Sequence, residues 1–293
     1  MSEEENNNET TAAAVAAGFD LFAGEPETQP CPHCGRLLLT RRGMWLLDEK
    51  PELEEHPTEC TCPAAVLERE AEDARRAAER KAAAEKKQTR GFLALLEDSG
   101  MPEEWQARGL PVFDRSTDAR AAAWEACKRS GSAICGNTPA EGAVGLFIAG
   151  DIGTGKTFFA SCFAVSLMRR GVPVKWANVA DVLREIRATF GGQVREAEVI
   201  ARYVKPPVLF LDDLGKERPT EWALEQLFAV VNARYDAGRA LVVTSNYSMQ
   251  ELVQRLTPRP DVNGYSDSTT ARAVVDRLRA MCERVVLDGK SRR

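Results

Sequence analysis

A glycine-rich loop of eight residues limits the possible folds of this chain more than any other part of its sequence. The loop fits the pattern G-x-x-x-x-G-K-[ST], and its residues are Gly150, Asp151, Ile152, Gly153, Thr154, Gly155, Lys156 and Thr157. The short apolar run before it, residues 145–149, predicts a buried strand. Residues 158–170 predict a helix that ends at Gly171. The loop is therefore expected to join a strand to a helix.

Such a loop is a binding site for phosphate groups. Its glycines let successive backbone N–H groups point at an anion, and the helix N-terminus adds partial positive charge. Lys156 would then reach the β and γ phosphates of a nucleoside triphosphate, and the Thr157 hydroxyl would bind Mg²⁺. The motif therefore predicts that a nucleoside triphosphate and Mg²⁺ bind here.

Strands and helices are predicted to alternate from residue 145 onward. Apolar runs bounded by turn residues predict strands at Leu146–Ala149, Val174–Asn178, Val208–Leu211, Leu241–Thr244 and Arg284–Leu287. Helical patterns begin near Lys156, Ala180, Arg195, Thr220, Met249 and Thr269. This alternation predicts an α/β domain with a mainly parallel sheet flanked by helices.

Polar side chains end two of the predicted strands. Asp212 and Asp213 follow the third strand, and Asn246 lies just beyond the fourth. Parallel strands present their carboxyl ends at the edge where α/β proteins bind ligands, so these side chains are expected beside the glycine loop. Asp212 is suited to hold Mg²⁺ with Thr157, and Asp213 to position or deprotonate an attacking water. Asn246 could reach the γ-phosphate or that water, although Asn is also common in ordinary turns.

The glycine loop, the acidic strand end and the Thr244-Ser245-Asn246 element resemble, in this order, those of the AAA+ ATPases. The Asp212-Asp213-Leu214-Gly215 continuation and the Val275-Asp276-Arg277-Leu278 stretch are similar, more narrowly, to DnaC-type helicase loaders and IstB-type transposition helpers. The resemblance covers about residues 92–293. It implies a Mg²⁺-dependent ATPase in which the glycine loop is Walker A, Asp212 and Asp213 are Walker B, and Asn246 is sensor 1.

The resemblance also implies that hydrolysis depends on self-assembly. Arg277 would be the arginine finger, offered to the ATP of a neighbouring subunit, where its guanidinium stabilises charge on the transferred phosphoryl group. The alternative is a surface arginine on a helix, and Arg272 is a weaker candidate for the same role. Ser291-Arg292-Arg293 would correspond to a second arginine of the family, without its usual tyrosine. Most AAA+ proteins have Asp-Glu at Walker B, so the Asp-Asp of this chain implies a slow, switch-like ATPase.

Four of the eight cysteines are grouped near the N-terminus, as a C-x-x-C pair and a C-x-C pair: Cys31, Cys34, Cys60 and Cys62. Four thiolates can hold Zn²⁺ tetrahedrally, and a small unit without a large core needs such a cross-link. The pattern therefore predicts a structural zinc site. His33 and His56 are alternative ligands, and free or redox-active cysteines or a disulfide are alternative states.

The helical segment between the second and third strands is a candidate DNA surface. Helicase loaders resemble replication initiators in having an extra helical element here that faces single-stranded DNA. The resemblance implies that Arg184 and Arg187 follow phosphates and that Phe190 stacks on a base. Alternatively, the helix is amphipathic, and its apolar face belongs to the core: Val182, Leu183, Ile186 and Phe190.

Composition and charge suggest four regions. Residues 1–28 predict an acidic, disordered tail, and residues 29–63 the zinc-binding unit. Residues 64–90 are rich in Ala, Glu, Lys and Arg and predict a charged helical linker or a partner-binding surface, and residues 91–293 would form the AAA+ domain. The net charge of −5 is concentrated in the tail and neither favours nor excludes nucleic-acid binding. No long apolar run or secretory signal is present, so a cytoplasmic protein without a membrane segment is expected.

These features predict an ATP-dependent DNA replication factor. The first hypothesis is a helicase loader that binds a replicative ring helicase and single-stranded DNA. ATP hydrolysis would be the switch that releases the loader. A transposition helper that acts with a DNA transposase would have the same ATPase site and a different partner. A third alternative is a scaffold that binds nucleotide without turnover.

Overall fold

The structure is a computed structural model of the 293-residue chain. It describes residues 27–41, 59–107, 113–136, 144–259 and 267–288. The chain divides into two compact units between Ala84 and Glu85. Most of the predicted acidic tail, His56 and Ser291-Arg292-Arg293 lie outside the described residues.

The first unit contains a pair of short antiparallel strands, β1 (Glu27–Pro30) and β2 (Leu37–Arg41). The turn between them is closed by two backbone hydrogen bonds. Cys31 N–H donates to the Arg36 carbonyl at 2.8 Å, and Gly35 N–H donates to the Cys31 carbonyl at 2.9 Å. Gly35 has a φ of +74°, which glycine adopts without steric cost. The sequence C-x-x-C-G therefore folds locally into a tight turn that carries both cysteines.

The longest described helix is α1 (Pro63–Ser99), with 37 residues. It is mostly exposed, and its surface carries i,i+4 ion pairs such as Arg76–Glu72 at 2.6 Å. Strong helix formers and these pairs explain why it stays helical with few buried side chains. Neither α1 nor any other helix in the described part of the chain is long and apolar enough to cross a membrane.

The second unit contains five strands and the remaining helices. The strands are β3 (Gly145–Ala149), β4 (Val174–Asn178), β5 (Val208–Leu214), β6 (Ala240–Ser245) and β7 (Cys282–Val286). The helices are α2 (Glu103–Gln106), α3 (Asp118–Ile134), α4 (Lys156–Arg169), α5 (Val179–Arg187), α6 (Glu196–Val204), α7 (Glu221–Asp236), α8 (Met249–Leu256) and α9 (Thr269–Met281).

The five strands form one parallel sheet in the order β4-β5-β6-β3-β7. Its side chains alternate between two apolar clusters, as a sheet covered on both faces requires. Phe147, Leu209 and Val243 belong to one cluster, and Leu146 and Phe210 belong to the other. The prediction of an α/β domain with a parallel sheet is confirmed, and every predicted strand overlaps an observed one. The sheet brings the carboxyl ends of β3, β5 and β6 side by side.

Candidate functional site

The glycine-rich loop joins β3 to α4, as predicted. Gly155 caps the N-terminus of α4 with a φ of +94°. At Gly150 an added Cβ would lie 2.2 Å from the carbonyl oxygen of Leu287, so no larger residue fits there. The Lys156 ammonium turns back over the loop and donates to the Asp151 carbonyl at 2.7 Å. The loop therefore presents a cation and a helix N-terminus on the same side, which suits an anionic ligand.

Asp212 lies opposite the loop, near the end of β5. It is buried, and burial raises its pKa, although hydrogen bonds from Thr244 and Thr157 act in the opposite direction. Thr157 Oγ1 donates to Asp212 Oδ1 at 3.0 Å, and Thr244 Oγ1 donates to the same oxygen at 2.6 Å. The structure thus brings the loop threonine and the first acid together, as predicted. Thr244 is a member of this site to which the sequence analysis gave no role of its own, although it named the Thr244-Ser245-Asn246 element.

Asp213, the second acid, has an unusual backbone. Its φ of +64° is the only left-handed value among the non-glycine residues of the described ranges. Its N–H donates to Thr244 Oγ1 at 2.9 Å, and its Oδ2 lies 2.7 Å from the Lys216 ammonium. Strained backbone of this kind persists when the surroundings hold it and is frequent at functional sites. Asp213 and Lys216 line the same cavity as the glycine loop.

These elements enclose a cavity of about 510 Å³. One end is lined by Lys156, Thr157, both acids and Asn246, and the role of Asn246 as sensor 1 stays a prediction. The other end is lined by an aromatic and charged group that the sequence analysis did not assign to the site: Glu104, Trp105, Phe113 and Arg120. Such a cavity has room for a nucleotide, with its phosphates at the loop.

The end of the cavity lined by Trp105, Phe113 and Arg120 is held by contacts with the glycine loop and α4. Arg120 is 4% exposed, and its guanidinium donates to the Thr154 carbonyl at 3.1 Å. The Phe113 ring packs 4.4 Å from Phe159 of α4, measured between ring centroids. Residues before the sheet are therefore tied to the phosphate loop through α4. Trp105 and Phe113 were predicted only as packing anchors.

Arg277 lies away from this cavity. It is on α9, where its Nε donates to Asn232 Oδ1 at 3.2 Å and its guanidinium lies 5.2 Å from the centre of the Tyr235 ring. It is not among the residues that line the cavity of its own chain in the described ranges. Arg277 therefore does not reach the cavity of its own chain, and both its role in the site of another subunit and the alternative of a surface arginine stay predictions.

The candidate DNA residues lie on and just after α5. Arg184 is exposed and pairs with Asp181 at 2.8 Å. The Arg187 guanidinium lies 4.5 Å from the centre of the Trp222 ring, and the Phe190 ring meets the same indole at 5.7 Å in an edge contact. We call Arg187, Phe190 and Trp222 the indole cluster. The sequence analysis did not single out Trp222.

The amphipathic interpretation of α5 is right for three of its four apolar residues. Val182, Leu183 and Ile186 are buried, as a core-facing stripe requires. Phe190 does not join them, because it is 60% exposed. A large aromatic side chain thus stays available to solvent beside an arginine.

The four N-terminal cysteines are brought together in the first unit. Their Sγ atoms all lie within 4.8 Å of one another, with Cys31–Cys62 at 4.0 Å and Cys34–Cys60 at 3.3 Å. Zn–S bonds of about 2.3 Å in a tetrahedron require Sγ separations of about 3.8 Å, so the donor set fits Zn²⁺. None of these cysteines is in a disulfide. Among the four thiols, a backbone hydrogen bond from Cys62 helps to lower the pKa of Cys60 to about 7, whereas the hydrogen bond with Cys60 helps to raise the pKa of Cys34 to about 12.

His33 is not part of this cysteine cluster. Its Nε2 lies 2.6 Å from a carboxylate oxygen of Glu68 on α1. The four thiols are therefore sufficient as a ligand set without it.

The parallel sheet, the glycine loop and the paired acids define an ATP-binding AAA+ P-loop domain. The chain belongs to the family of IstB-like ATP binding proteins, whose model matches residues 125–293. The resemblance inferred from the motifs is thereby confirmed.

Two curated relatives illustrate the range of the family. An ATP-binding protein of an insertion sequence in Mycobacterium tuberculosis is 28% identical over 153 residues, which are 50% of this chain and 55% of that protein. The replicative helicase loader DnaI of Bacillus subtilis is 28% identical over 150 residues, which are 51% of this chain and 47% of that protein. The chain thus matches about half the length of these curated relatives.

Solved structures of similar fold include two helicase loaders. The crystal structure of DnaI superimposes with a TM-score of 0.55 and 27% identity, over 66% of this chain and 95% of that chain. The DnaC helicase loader gives a TM-score of 0.52 at 21% identity, over 64% of this chain and 100% of that one, which shows the shared fold.

Proposed function

We propose that this chain is a helicase loader that binds and hydrolyses ATP as a switch. The observation that supports this most directly is the single cavity where Lys156, Thr157 and Asp212 meet, in a domain similar to that of DnaI. Hydrolysis, DNA binding and the helicase partner are all part of this proposal. Phosphate release measured with and without single-stranded DNA tests the enzymatic part, because a scaffold would show none.

The residues present suit a magnesium ion. Thr157 Oγ1 and Asp212 Oδ1 are hard oxygen donors 3.0 Å apart. Adjacent ligands of an octahedral Mg²⁺ with bonds of about 2.0–2.1 Å are separated by about 2.9 Å. The two side chains would therefore hold the ion, which supplies charge neutralisation at the β and γ phosphates. Their mutual hydrogen bond keeps both oxygens in place beforehand.

Asp213 and Asn246 would act on the water molecule that attacks the γ-phosphate. Asp213 lies at the cavity with a partly exposed carboxylate, so it can accept a proton or orient the nucleophile. Asn246 lines the same end, where its amide would contact the γ-phosphate or the water. The wall opposite the phosphates, with Trp105 and Phe113, would receive the adenine base.

Replacing Asp213 with asparagine should abolish most turnover while leaving binding intact. Asparagine tolerates the left-handed backbone and keeps the size of the side chain, but it cannot accept a proton. We expect kcat to fall about a hundredfold or more, with ATP affinity within about threefold of wild type. Steady-state phosphate release and nucleotide titration measure the two quantities. Asp98→Asn, an exposed aspartate of α1, is the control. Unchanged turnover in Asp213→Asn would remove the role assigned to this residue.

The first unit would be a structural zinc module. All four ligands are cysteines, so no coordination position remains open for catalysis, and the ion would hold β1, β2 and the start of α1 together. In this proposal residues 29–63 form the zinc unit, 64–90 the linker and 91–293 the ATPase domain. The zinc unit would bind the helicase.

Removing the metal should unfold the zinc unit and spare the ATPase domain. Protein purified under reducing conditions should contain about one zinc per chain, because a closed four-cysteine site binds one ion. After chelation, or in Cys60→Ser, residues 29–63 should become sensitive to protease while ATP affinity is retained. Cys135→Ser, at a cysteine outside the cluster, should retain the metal. Absence of zinc by elemental analysis would contradict the assignment.

The indole cluster would contact single-stranded DNA. Arg187 and Arg184 supply positive charge for phosphates, and Phe190 exposes a ring on which a base can stack. Trp222 Nε1 is buried without a hydrogen-bond partner among the described residues, so the indole is held by packing rather than by a polar contact. The cluster is a combination of aromatic and cationic groups that is typical of surfaces for unpaired bases.

Loss of the exposed ring should weaken DNA binding. We expect Phe190→Ala to reduce affinity for a single-stranded oligonucleotide about tenfold, since stacking contributes about 1–3 kcal/mol per base. Arg187→Ala should weaken binding and reduce its salt dependence, because it removes one phosphate contact. Arg279→Ala, an exposed and ion-paired arginine of α9, is the control. Fluorescence anisotropy measures these affinities, and unchanged binding in both variants would assign DNA contact elsewhere.

A transposition helper remains the alternative function, because the insertion-sequence relative matches this chain as well as DnaI does. The partner distinguishes the two. A pull-down from host lysate in the presence of ATP should recover a replicative ring helicase if the chain is a loader. Recovery of a DNA transposase instead would establish the alternative. Self-assembly through Arg277 is expected in either case.

A further inference from the structure

A second lysine lies in the nucleotide cavity. Lys216 follows β5 and lines the cavity together with Lys156 and Asp213. Its ammonium lies 2.7 Å from Asp213 Oδ2, although the lysine side chain is 49% exposed. The ion pair therefore occupies one oxygen of the acid proposed to act on water. No part of the Walker motifs accounts for this cation.

Hydrogen bonds with neighbouring side chains hold the loop that carries Lys216 in place. Arg255 Nε donates to the Gly215 carbonyl at 2.6 Å, and a carboxylate oxygen of Glu217 accepts from Gly215 N–H at 2.8 Å. An added Cβ at Gly215 would lie 2.9 Å from the Tyr247 ring, so the loop packs closely against the start of α8. The position of Lys216 at the cavity is thus fixed by buried contacts of its neighbours.

The charge of Lys216 affects the pKa values of two other groups that line the cavity. It lowers the pKa of Lys156, behind the larger effect of burial, and it counteracts the rise in the pKa of Asp212. Both ammonium groups line the same cavity. Lys156 belongs to the loop that encloses the β-phosphate, whereas Lys216 is next to Asp213, where only the terminal phosphate would reach.

We propose that Lys216 is a ligand of the γ-phosphate that lets this site discriminate ATP from ADP. When no triphosphate is bound, its ammonium pairs with Asp213. A γ-phosphate offers a stronger anionic partner, so the ammonium moves to it and leaves the Asp213 carboxylate free to orient the water. ADP has no group at this position and leaves the Lys216–Asp213 pair intact. This inference rests on the proposed nucleotide site.

The test compares two nucleotides in one variant. Lys216→Met keeps the length of the side chain and removes its charge. Its affinity for a Mg²⁺-bound nonhydrolysable ATP analogue should fall about tenfold, the usual effect of losing one hydrogen bond to a charged group. Its affinity for ADP should stay within about twofold of wild type. Lys205→Met, at an exposed lysine outside the cavity, should change neither affinity.

Isothermal titration of full-length protein measures the affinities of wild type and both variants for the two nucleotides, with thermal unfolding as a check that each variant is folded. A selective loss of affinity for the ATP analogue supports the inference. Equal affinities of Lys216→Met and wild type for both nucleotides would overturn it, and so would an equal loss for both. If wild-type protein binds neither nucleotide, the proposed function itself fails, which separates that result from a failure confined to Lys216.

Discussion

Replacing Lys156 with alanine should abolish detectable nucleotide binding. Lys156 is 6% exposed, and burial lowers its pKa, so the protein keeps this cation in the site at some cost. Its ammonium donates a hydrogen bond to the Asp151 carbonyl at 2.7 Å. A triphosphate would replace that neutral acceptor with charged oxygens, and hydrogen bonds to charged groups contribute about 1.5–3 kcal/mol each.

Two such bonds, to the β and γ phosphates, correspond to a loss of affinity of about a hundredfold or more. The measurement is titration with Mg·ATP, supported by the ligand-induced rise in melting temperature, which should disappear in Lys156→Ala. Lys205→Ala serves as the control for the loss of one positive charge. Wild-type affinity in Lys156→Ala would show that nucleotide binds elsewhere.

Replacing Arg234 with methionine should strongly destabilise the second unit. This arginine of α7 is completely buried, and burial lowers its pKa to about 9. Its guanidinium has no carboxylate partner among the described residues. Instead it donates to backbone carbonyl oxygens at the end of α6 and at the starts of β5 and β6: those of Tyr203, Val204, Pro206, Pro207 and Ala240.

The need for this cation follows from the sequence around α6. The helix is followed by Pro206 and Pro207, which have no N–H, so the carbonyls of Arg202 and Tyr203 have no donor at the i+4 position. Methionine fills similar volume but leaves these buried acceptors unpaired, at about 1–3 kcal/mol for each carbonyl that finds no water. We expect the free energy of unfolding to fall by at least about 3 kcal/mol.

Urea unfolding followed by tryptophan fluorescence measures this change through the shift of the midpoint. Arg202→Met, at an exposed arginine of α6, is the matched control and should change stability by no more than about 0.5 kcal/mol. A midpoint in Arg234→Met equal to that of the control would mean that water replaces the guanidinium without penalty.

The sheet and the phosphate end of the site could be predicted because their signals are local. Each strand is a short apolar run between turn residues, and Lys156, Thr157 and Asp212 stand at the ends of such runs. Once strands are parallel, their carboxyl ends meet at one edge, so proximity in space follows from position in each strand. The proximity of the two cysteine pairs could also be predicted from the sequence, because two closely spaced pairs of thiols are a common ligand set for zinc.

The rest of the site depends on contacts between distant segments. Trp105 and Phe113 precede the sheet and reach the cavity only through packing on α4, which no spacing rule reveals. Trp222 begins α7, and nothing near it in sequence indicates its contacts with Arg187 and Phe190. In the sequence these aromatic residues look like ordinary helix or loop residues, and only the folded structure shows which distant side chains they contact.

Arg234 is the one such residue for which the sequence contains a signal. It continues the buried stripe of α7 in helical phase with Leu227, Val230 and Val231. A charged residue at a position that should be apolar indicates an internal binding partner, and the two prolines before β5 indicate where unsatisfied carbonyls would be found. Combining these two observations would have predicted the contact.

The left-handed backbone at Asp213 has an implication for protein engineering. This conformation disfavours most side chains by about 1–2 kcal/mol and is accepted most readily by glycine, asparagine and aspartate. Lengthening the acid to glutamate, the residue that most AAA+ proteins carry at this position, would therefore add conformational strain along with reach. A glutamate here would need a second change that relaxes residues 213–216, so the identity of the second acid and the geometry of this loop are expected to depend on each other.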